Sequence, residues 1–213
     1  MACELAQAFA RLGSCVTMLA RSTILSREDP EIGRAVTERF RAEGIDVREH
    51  SEAERVDYRE GEFRADMGDE TLTADRLLVA TGRAPNTAAL DLGRAGVETG
   101  PGGAIEVDSR MRTSSEHIFA VGDCTDMPEF VYVAAHHGNM VAENTFAGAE
   151  RSVDHSRLPR VTFTSPAIGA VGMTEAQVLA AGIRCDCRVL PLDYVPRALV
   201  NRDTRGFIKI VAN

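Results

Sequence analysis

Thr113-Ser114-Ser115-Glu116-His117-Ile118-Phe119-Ala120-Val121-Gly122-Asp123 is the stretch whose reading decides the fold. Ile118 to Val121 is a short apolar run of the kind a buried parallel strand gives. Gly122 ends the run and lets a ligand approach the backbone closely. Asp123 then offers two acceptor oxygens to sugar-like hydroxyls. Open α/β sheets bind ligands beyond the carboxyl ends of their strands, so Asp123 is a candidate polyol-binding residue. Alone, the Gly122-Asp123 pair reads equally well as an ordinary strand-to-loop turn.

A second stretch lies upstream: Leu78-Val79-Ala80-Thr81-Gly82-Arg83-Ala84-Pro85-Asn86-Thr87. Leu77 to Ala80 reads as a buried strand, and Thr81-Gly82-Arg83 ends it where backbone can again approach a cofactor. Ala84-Pro85-Asn86 breaks regular structure and suits a crossover between domains.

Together the two stretches resemble the pyridine nucleotide-disulfide oxidoreductases. The first matches that family's second flavin motif: Thr, six residues, Ala, any residue, Gly, Asp. The resemblance implies that Asp123 holds the ribityl chain of FAD and that Gly82 lies at the nucleotide-to-flavin crossover. It also implies a partial FAD/NAD(P)-linked, Rossmann-like α/β reductase fold, followed by the start of an α+β interface (dimerisation) domain. The implied divisions are 1–84 for NAD(P) binding, 85–150 for the C-terminal part of the FAD domain, and 157–213 for the interface domain.

The remaining elements follow from periodicity. Leu5, Ala8, Phe9 and Leu12 fall on one face of a helix over 1–12, with Gly13 at its stop. Val16 to Ala20 reads as a strand. A second helix is expected over 29–43, with Pro30 near its start, and Gly44 ends it. Ile45 to His50 is a strand, and 51–74 an antiparallel meander. Leu90 to Val97 reads as short helix or loop, and Gly103 to Asp108 as a strand. A helix starts after Pro128 and runs to about residue 147. The polar stretch 149–158 marks a domain boundary. Beyond it the reading is strand (161–164), short strand (170–172), helix (174–181) with a Thr174/Gln177 capping box, strand, loop, and strand (207–211).

In a dinucleotide fold a strand and a glycine-rich turn precede the first helix. Neither stands before Glu4, which resembles the position just after that turn; the expectation is a fragment with Glu4 at the cofactor. The tip of the second strand selects the nicotinamide cofactor: an acid there bonds the ribose of NAD, whereas arginine suits the 2′-phosphate of NADP. Here the tip is Ala20-Arg21-Ser22, with Arg27 shortly after, which points to an NADPH site of Arg21, Ser22 and Arg27. The alternative is a solvated arginine pair balanced by Glu28 and Asp29. The resemblance further implies that the backbone of Val131, at the start of the helix after Asp123, faces the flavin with the helix's positive end.

The chain has 213 residues and a net charge of −8. That charge leaves no electrostatic footprint for nucleic acid or an anionic membrane. Cys3, Cys15, Cys124, Cys185 and Cys187 are odd in number and scattered, which suggests reduced thiols in a cytoplasm. Cys185-Asp186-Cys187 is open to a soft-metal reading, although two same-face strand positions explain the spacing more simply. His136 and His137 read as ordinary mid-helix residues, and Cys124 as a small apolar filler.

Within the family, Ala20-Arg21-Ser22, the run from Cys124 to Ala135, and Val195-Pro196-Arg197-Ala198 look closest to a branch that reduces thiolate-bound Hg(II) with NADPH. A homodimer is implied for the full-length protein. Lipoamide dehydrogenase-type and non-catalytic nucleotide-binding relatives are the alternatives. No Cys-x-x-x-x-Cys redox pair occurs, so no catalytic residue and no metal ligand are assigned. Tyr194 lies near the region that approaches the metal site across the dimer in that branch; ordinary packing is its simpler explanation.

Overall fold

A computed structural model of the chain describes residues 1–212; Asn213, the last residue of the expected interface segment, lies outside the described residues. The structure divides into two compact units. One holds residues 1–80 together with the chain from Leu158 onward, and the other holds Thr81–Arg157.

The first unit opens with helix α1 (Ala2–Arg11), stopped by Gly13 at φ +101°. Strand β1 (Thr17–Ala20) pairs in parallel with β2 (Asp46–Glu49), in register Thr17↔Asp46. Helix α2 (Pro30–Ala42) connects them. Asp29 caps α2 by accepting from the Glu31 amide at 3.1 Å, and Pro30 at the first position needs no donor of its own. Phe40, Ile45 and Val47 are buried with Cys3, Ile24 and Val36, so the helix and the strands close on one apolar core. Strands β3 (Arg55–Arg59), β4 (Glu62–Asp66) and β5 (Thr71–Ala74) form the expected antiparallel meander.

Residues 158–212 add β6 (Arg160–Thr162) antiparallel to β7 (Ile168–Ala170). Helix α4 (Glu175–Ala180), which follows α3 (Val131–Phe146) along the chain, carries the expected Thr174/Gln177 capping box. Strand β8 (Asp186–Pro191) pairs antiparallel with β9 (Phe207–Ala212). The stretch between them holds a short helix, α5 (Pro196–Asn201), where the sequence suggests only loop. Its proline at the first position is a start signal, but six residues are too few for a periodic face to show.

Side chains tie these residues to α1 and α2. Gln7 donates to the Ser165 carbonyl at 2.9 Å and accepts from the Ser165 amide at 2.7 Å. Arg160 forks onto Glu28 at 3.2 and 3.0 Å. Lys209, whose side chain is 10% exposed, is held by Glu175 at 2.9 Å, Asp29 at 3.0 Å and Glu31 at 3.3 Å.

In the second unit, helix α3 (Val131–Phe146) is the long element. Two short 3-10 turns, Ala88–Leu90 and Leu92–Ala95, answer to the expected helix or loop. Val97, Ile105 and Ala120 form the buried apolar cluster.

Three strand readings are corrected. Leu77 to Ala80 is not a strand, and Leu77, Leu78 and Val79 are 45%, 51% and 71% exposed. Gly103 to Asp108 and Ile118 to Val121 meet the chain through isolated bridges only: Ile105 with Thr99 and Thr125, and Phe119 with Arg112. A parallel strand is stabilised by ladders on both sides and cover on both faces. Among the described residues these runs lack such flanking strands. Their apolar composition is legible; their pairing is not.

Removing the cation from a largely buried, three-carboxylate site leaves like charges uncompensated. Lys209→Met is expected to lower stability by about 2 kcal/mol. Urea unfolding followed by circular dichroism checks this; an unchanged midpoint would show that the cluster contributes no net stability.

Candidate functional site

The geometry around Asp123 starts with Gly122. Its φ is +79°, and a Cβ there would sit 3.2 Å from the Ala134 Cβ. Both facts favour glycine: the conformation is left-handed, and the first turn of α3 packs against the backbone. Thr125 fastens the turn, its amide and hydroxyl both donating to the Gly122 carbonyl at 3.0 and 2.7 Å. The end of the central run is thus pressed against the start of α3.

Asp123 emerges from this turn with its side chain 54% exposed. Arg83 Nη1 donates to Asp123 Oδ2 at 2.9 Å and stands 3.6 Å from Glu129. Arg83 directly follows Gly82, which has φ +135°, so the two motif stretches meet through this ion pair. Thr87 anchors the far side of that loop by donating to the Gly103 carbonyl at 2.6 Å. Arg83 is not among the residues the sequence singles out. The signal was present in Thr81-Gly82-Arg83, but it reads there as turn chemistry.

Val131 is the first residue of α3, with its side chain 89% exposed. No side chain caps this helix, and Phe130 at the cap position is extended. The helix start is positively polarised, beside an exposed carboxylate that accepts hydrogen bonds. Phe130 and Tyr132 stack at 5.2 Å beside it. An exposed carboxylate, a helix start with free amide donors and an aromatic pair thus stand together.

The first unit carries the other predicted group. Arg21, Ser22 and Arg27 are all exposed on the loop that leaves β1. The Ser22 carbonyl accepts from the His50 amide at 3.1 Å, which holds that loop at the strand ends. Glu28 and Asp29 do not neutralise Arg27, since they are engaged by Arg160 and Lys209. Among the described residues neither Arg21 nor Arg27 has a carboxylate partner. Glu4 is engaged elsewhere: its carboxylate accepts from the Phe163 amide at 2.8 Å and pairs with the Met1 ammonium. The Phe163 bond is the larger cause holding its pKa below the usual glutamate value.

His137 is 1% exposed on the inner face of α3, whereas His136 is exposed. Its Nε2 lies 3.0 Å from His155 Nε2, and its Nδ1 has no hydrogen-bond partner among the described residues. Burial, then the charges of His155 and His136, push its pKa below the usual histidine value. Which of the two facing nitrogens donates depends on the tautomer. A depression in this unit is lined by Glu98, Glu106, Asp108 and Glu116, with Arg112 paired to Asp108. Its acidic lining disfavours a dinucleotide's phosphates.

Residues 1–138 match the pyridine nucleotide-disulphide oxidoreductase family, and residues 158–213 match that family's dimerisation domain. The chain is 56% identical to a mercuric reductase of Shigella flexneri, over 99% of its own length and 38% of the relative's. It is 55% identical to a mercuric reductase of Acidithiobacillus ferrooxidans, over 100% of this chain and 39% of that one. The chain therefore spans about two fifths of these relatives. Among solved structures, the HOCl-induced flavoprotein disulfide reductase RclA from Escherichia coli superimposes with a TM-score of 0.89 at 33% identity. That match covers 97% of this chain and 48% of that one. LpdA from Mycobacterium tuberculosis superimposes with a TM-score of 0.90 at 28% identity, covering 98% of this chain and 46% of that one.

Two outcomes follow from the geometry. Gly122→Ala is expected to destabilise the chain by about 1–2 kcal/mol, through a strained φ and a crowded Ala134; denaturant unfolding measures it, and a neutral result would contradict the close approach. For His137, folding holds the ring neutral where the unfolded chain takes a proton. Its stability is therefore intact above about pH 6.5 and lost as pH falls from there toward the lowered folded value. Unfolding midpoints at pH 7.5 and 5.5 check this: His137→Gln is expected to flatten the fall, and an unchanged slope would place its origin elsewhere.

Proposed function

The chain belongs to the pyridine nucleotide-disulphide oxidoreductase family, and from that premise we propose that it is the nucleotide-binding, flavin-contacting and dimerisation portion of a mercury(II) reductase. The observation that carries the reading is the coupled Asp123 site: an exposed carboxylate, fastened by Gly122 against an uncapped helix start and by Arg83 to the Gly82 loop. Whole-chain identity above 50% to two mercuric reductases supports the substrate assignment.

Family membership implies FAD and NAD(P)H. The residues present fit both. Asp123 Oδ2 is taken by Arg83, which leaves Oδ1 to accept from a ribityl hydroxyl. The backbone at Val131 would stand under the flavin, and Gly82 would admit its approach. Arg21, Ser22 and Arg27 would hold the 2′-phosphate of NADPH, since two guanidinium groups without a carboxylate partner among the described residues, and a hydroxyl, match its charge and acceptors. Glu4 would lie at the start of the nucleotide-domain helix, fixing the backbone of Phe163 rather than a cofactor oxygen. When bound, these cofactors supply a hydride and a two-electron carrier. This chain's residues bind and orient; none is assigned to the reacting atoms. The substrate would be an Hg(II)-thiolate complex reduced to Hg(0), in a cytoplasmic homodimer. The division 1–84, 85–150 and 157–213 is the reading retained for the domains.

A chimera tests this directly. The matching segment of the Shigella flexneri relative is replaced by this chain, and flavin content and NADPH-dependent loss of Hg(II) are measured. The chimera is expected to be yellow and active. Asp123→Ala should cut flavin retention about tenfold or more, the size of a lost charged hydrogen bond. Arg21→Glu with Arg27→Glu should raise the KM for NADPH about tenfold or more without raising that for NADH. A chimera that holds flavin and reduces a dithiol-type disulfide but not Hg(II), with a preference for NADH, would favour the lipoamide dehydrogenase reading.

A further inference from the structure

The chain leaves the second unit at Arg157. The segment before that point, residues 149–157, is pinned to α3 and to the turn at 108–112. The Ala149 amide donates to the Glu143 carbonyl at 3.2 Å. The Asn144 side chain donates to the Arg151 carbonyl at 2.8 Å and accepts from the Arg151 amide at 2.9 Å. Arg151 also pairs with Glu143. The Val153 amide donates to the Ser109 carbonyl at 2.9 Å. Past Val153 the anchor changes character. His155 Nε2 meets His137 Nε2 at 3.0 Å, with the ring centroids 5.1 Å apart. Among the described residues this is the hydrogen bond that ties 154–157 to α3, since the Ser156 amide is spent within the segment, on Asp154 at 2.8 Å. His155 is half-buried, whereas His137 is 1% exposed with no hydrogen-bond partner for Nδ1 among the described residues.

A neutral imidazole carries one N–H, so two neutral rings close this contact in either sense. A charged ring carries N–H on both nitrogens. On His137 the Nδ1–H would then stand in the interior without an acceptor, which is costly. Its Nε2–H can face only a neutral His155. Once both rings are charged, two donors oppose each other and the contact does not close. Burial acts in the same direction, pushing the His137 pKa below the usual histidine value. The surrounding groups come from three elements. On α3, His136 has its ring centroid 6.2 Å from that of His137, and Glu143 is paired with Arg151. On the segment, Glu150 stands 3.9 Å from Arg110, and Asp154 and Arg157 flank His155 in sequence. In the turn, Asp108 is paired with Arg112. The Ser156 amide holds the Asp154 carboxyl below the usual aspartate value, so it stays charged. Histidine is the side chain that ordinarily changes charge between pH 5 and 8.

We propose that His137 and His155 are a pH-set latch: neutral, they clip residues 154–157 to α3, and charged, they release that end of the segment while its Asn144 and Ser109 anchors hold. The closed form keeps His137 neutral, and the open form lets it take a proton at the usual value. The latch is therefore closed above about pH 6.5 and opens as pH falls from there. Opening slackens the stretch by which the chain leaves the second unit. No cofactor takes part, so the latch stands apart from the reductase reading.

The test is nuclear magnetic resonance on the whole 15N-labelled chain, without flavin or NADPH. Amide shifts and heteronuclear NOEs report the open-to-closed ratio of 154–157, and the ring nitrogens report the charge of each histidine. One extra proton, taken up at an ordinary value near 6.5, raises that ratio about tenfold between pH 7.5 and 5.5. The amides of 154–157 are expected to become mobile over this range while those of α3 and of Arg151 and Val153 keep their positions. His155→Ala, at a half-buried site, should leave 154–157 mobile at both pH values. His137→Phe, which fills the buried volume, should remove the pH response, and His136→Gln should leave it in place. If His137→Phe does not fold, His155→Ala still decides the matter. Unchanged mobility of 154–157 from pH 7.5 to 5.5, or the same pH response in His155→Ala, would overturn the latch. So would loss of signal dispersion across the whole second unit at once, which is unfolding and not release.

Discussion

Lys209 and its three carboxylates are the constraint on which the first unit depends. A cation with a side chain 10% exposed is costly to desolvate and stays charged only if surrounded. Asp29, Glu31 and Glu175 surround it from two helices and their caps. Asp29 already caps α2, and Glu175 opens α4, so one ammonium group sets the starts of both helices against β9. Gln7 on Ser165 and Arg160 on Glu28 repeat the device with neutral and charged partners. Polar side chains reaching backbone or opposite charge thus hold residues 158–212 onto the nucleotide-type core, where apolar contact alone is sparse.

A different constraint governs the second unit. Its apolar cluster holds three buried residues, and it has no regular strand ladder among its described residues. Position there comes from tight turns. Gly122 in a left-handed conformation, bound twice by Thr125 and packed so that a Cβ there would stand 3.2 Å from the Ala134 Cβ, fixes Asp123 beside α3. The Arg83 ion pair then brings the Gly82 loop to the same place. An exposed pair of this kind contributes little stability, typically below about 1 kcal/mol. Its effect is geometric: it ties Asp123 Oδ2 to Arg83.

How much was legible in the sequence follows from range. Helix ends carry their own chemistry within a few residues, so Pro30, Gly13, Gly44 and the Thr174/Gln177 box mark their positions correctly. The meander over 55–74 is equally local, since its turns lie between the strands they join. Ile118 to Val121, Gly103 to Asp108 and Leu77 to Ala80 depend instead on what lies alongside them, and composition does not say. The turn at Gly122 was legible because a glycine closing an apolar run and followed by an acid restricts what the backbone can do. Arg83 was not, because its partner stands forty residues away and nothing local announces the pairing.

The two arginines after β1 show how the packing of the first unit bears on its proposed site. In sequence, Arg27-Glu28-Asp29 looks self-neutralising, and a balanced cluster would have little affinity for a phosphate. In the structure Arg160 draws Glu28 away and Lys209 draws Asp29 away. The acids that would have quenched Arg27 are consumed in holding residues 158–212 to α2. The positive charge left on the β1 loop is thus a by-product of that docking. The proposed phosphate site and residues 158–212 are therefore linked electrostatically: releasing Arg160 or Lys209 would return two carboxylates to the neighbourhood of Arg27 and weaken an anion there. If Arg21 and Arg27 take a phosphate, its affinity depends on residues beyond 158 as well as on the strand tip that motif reading inspects.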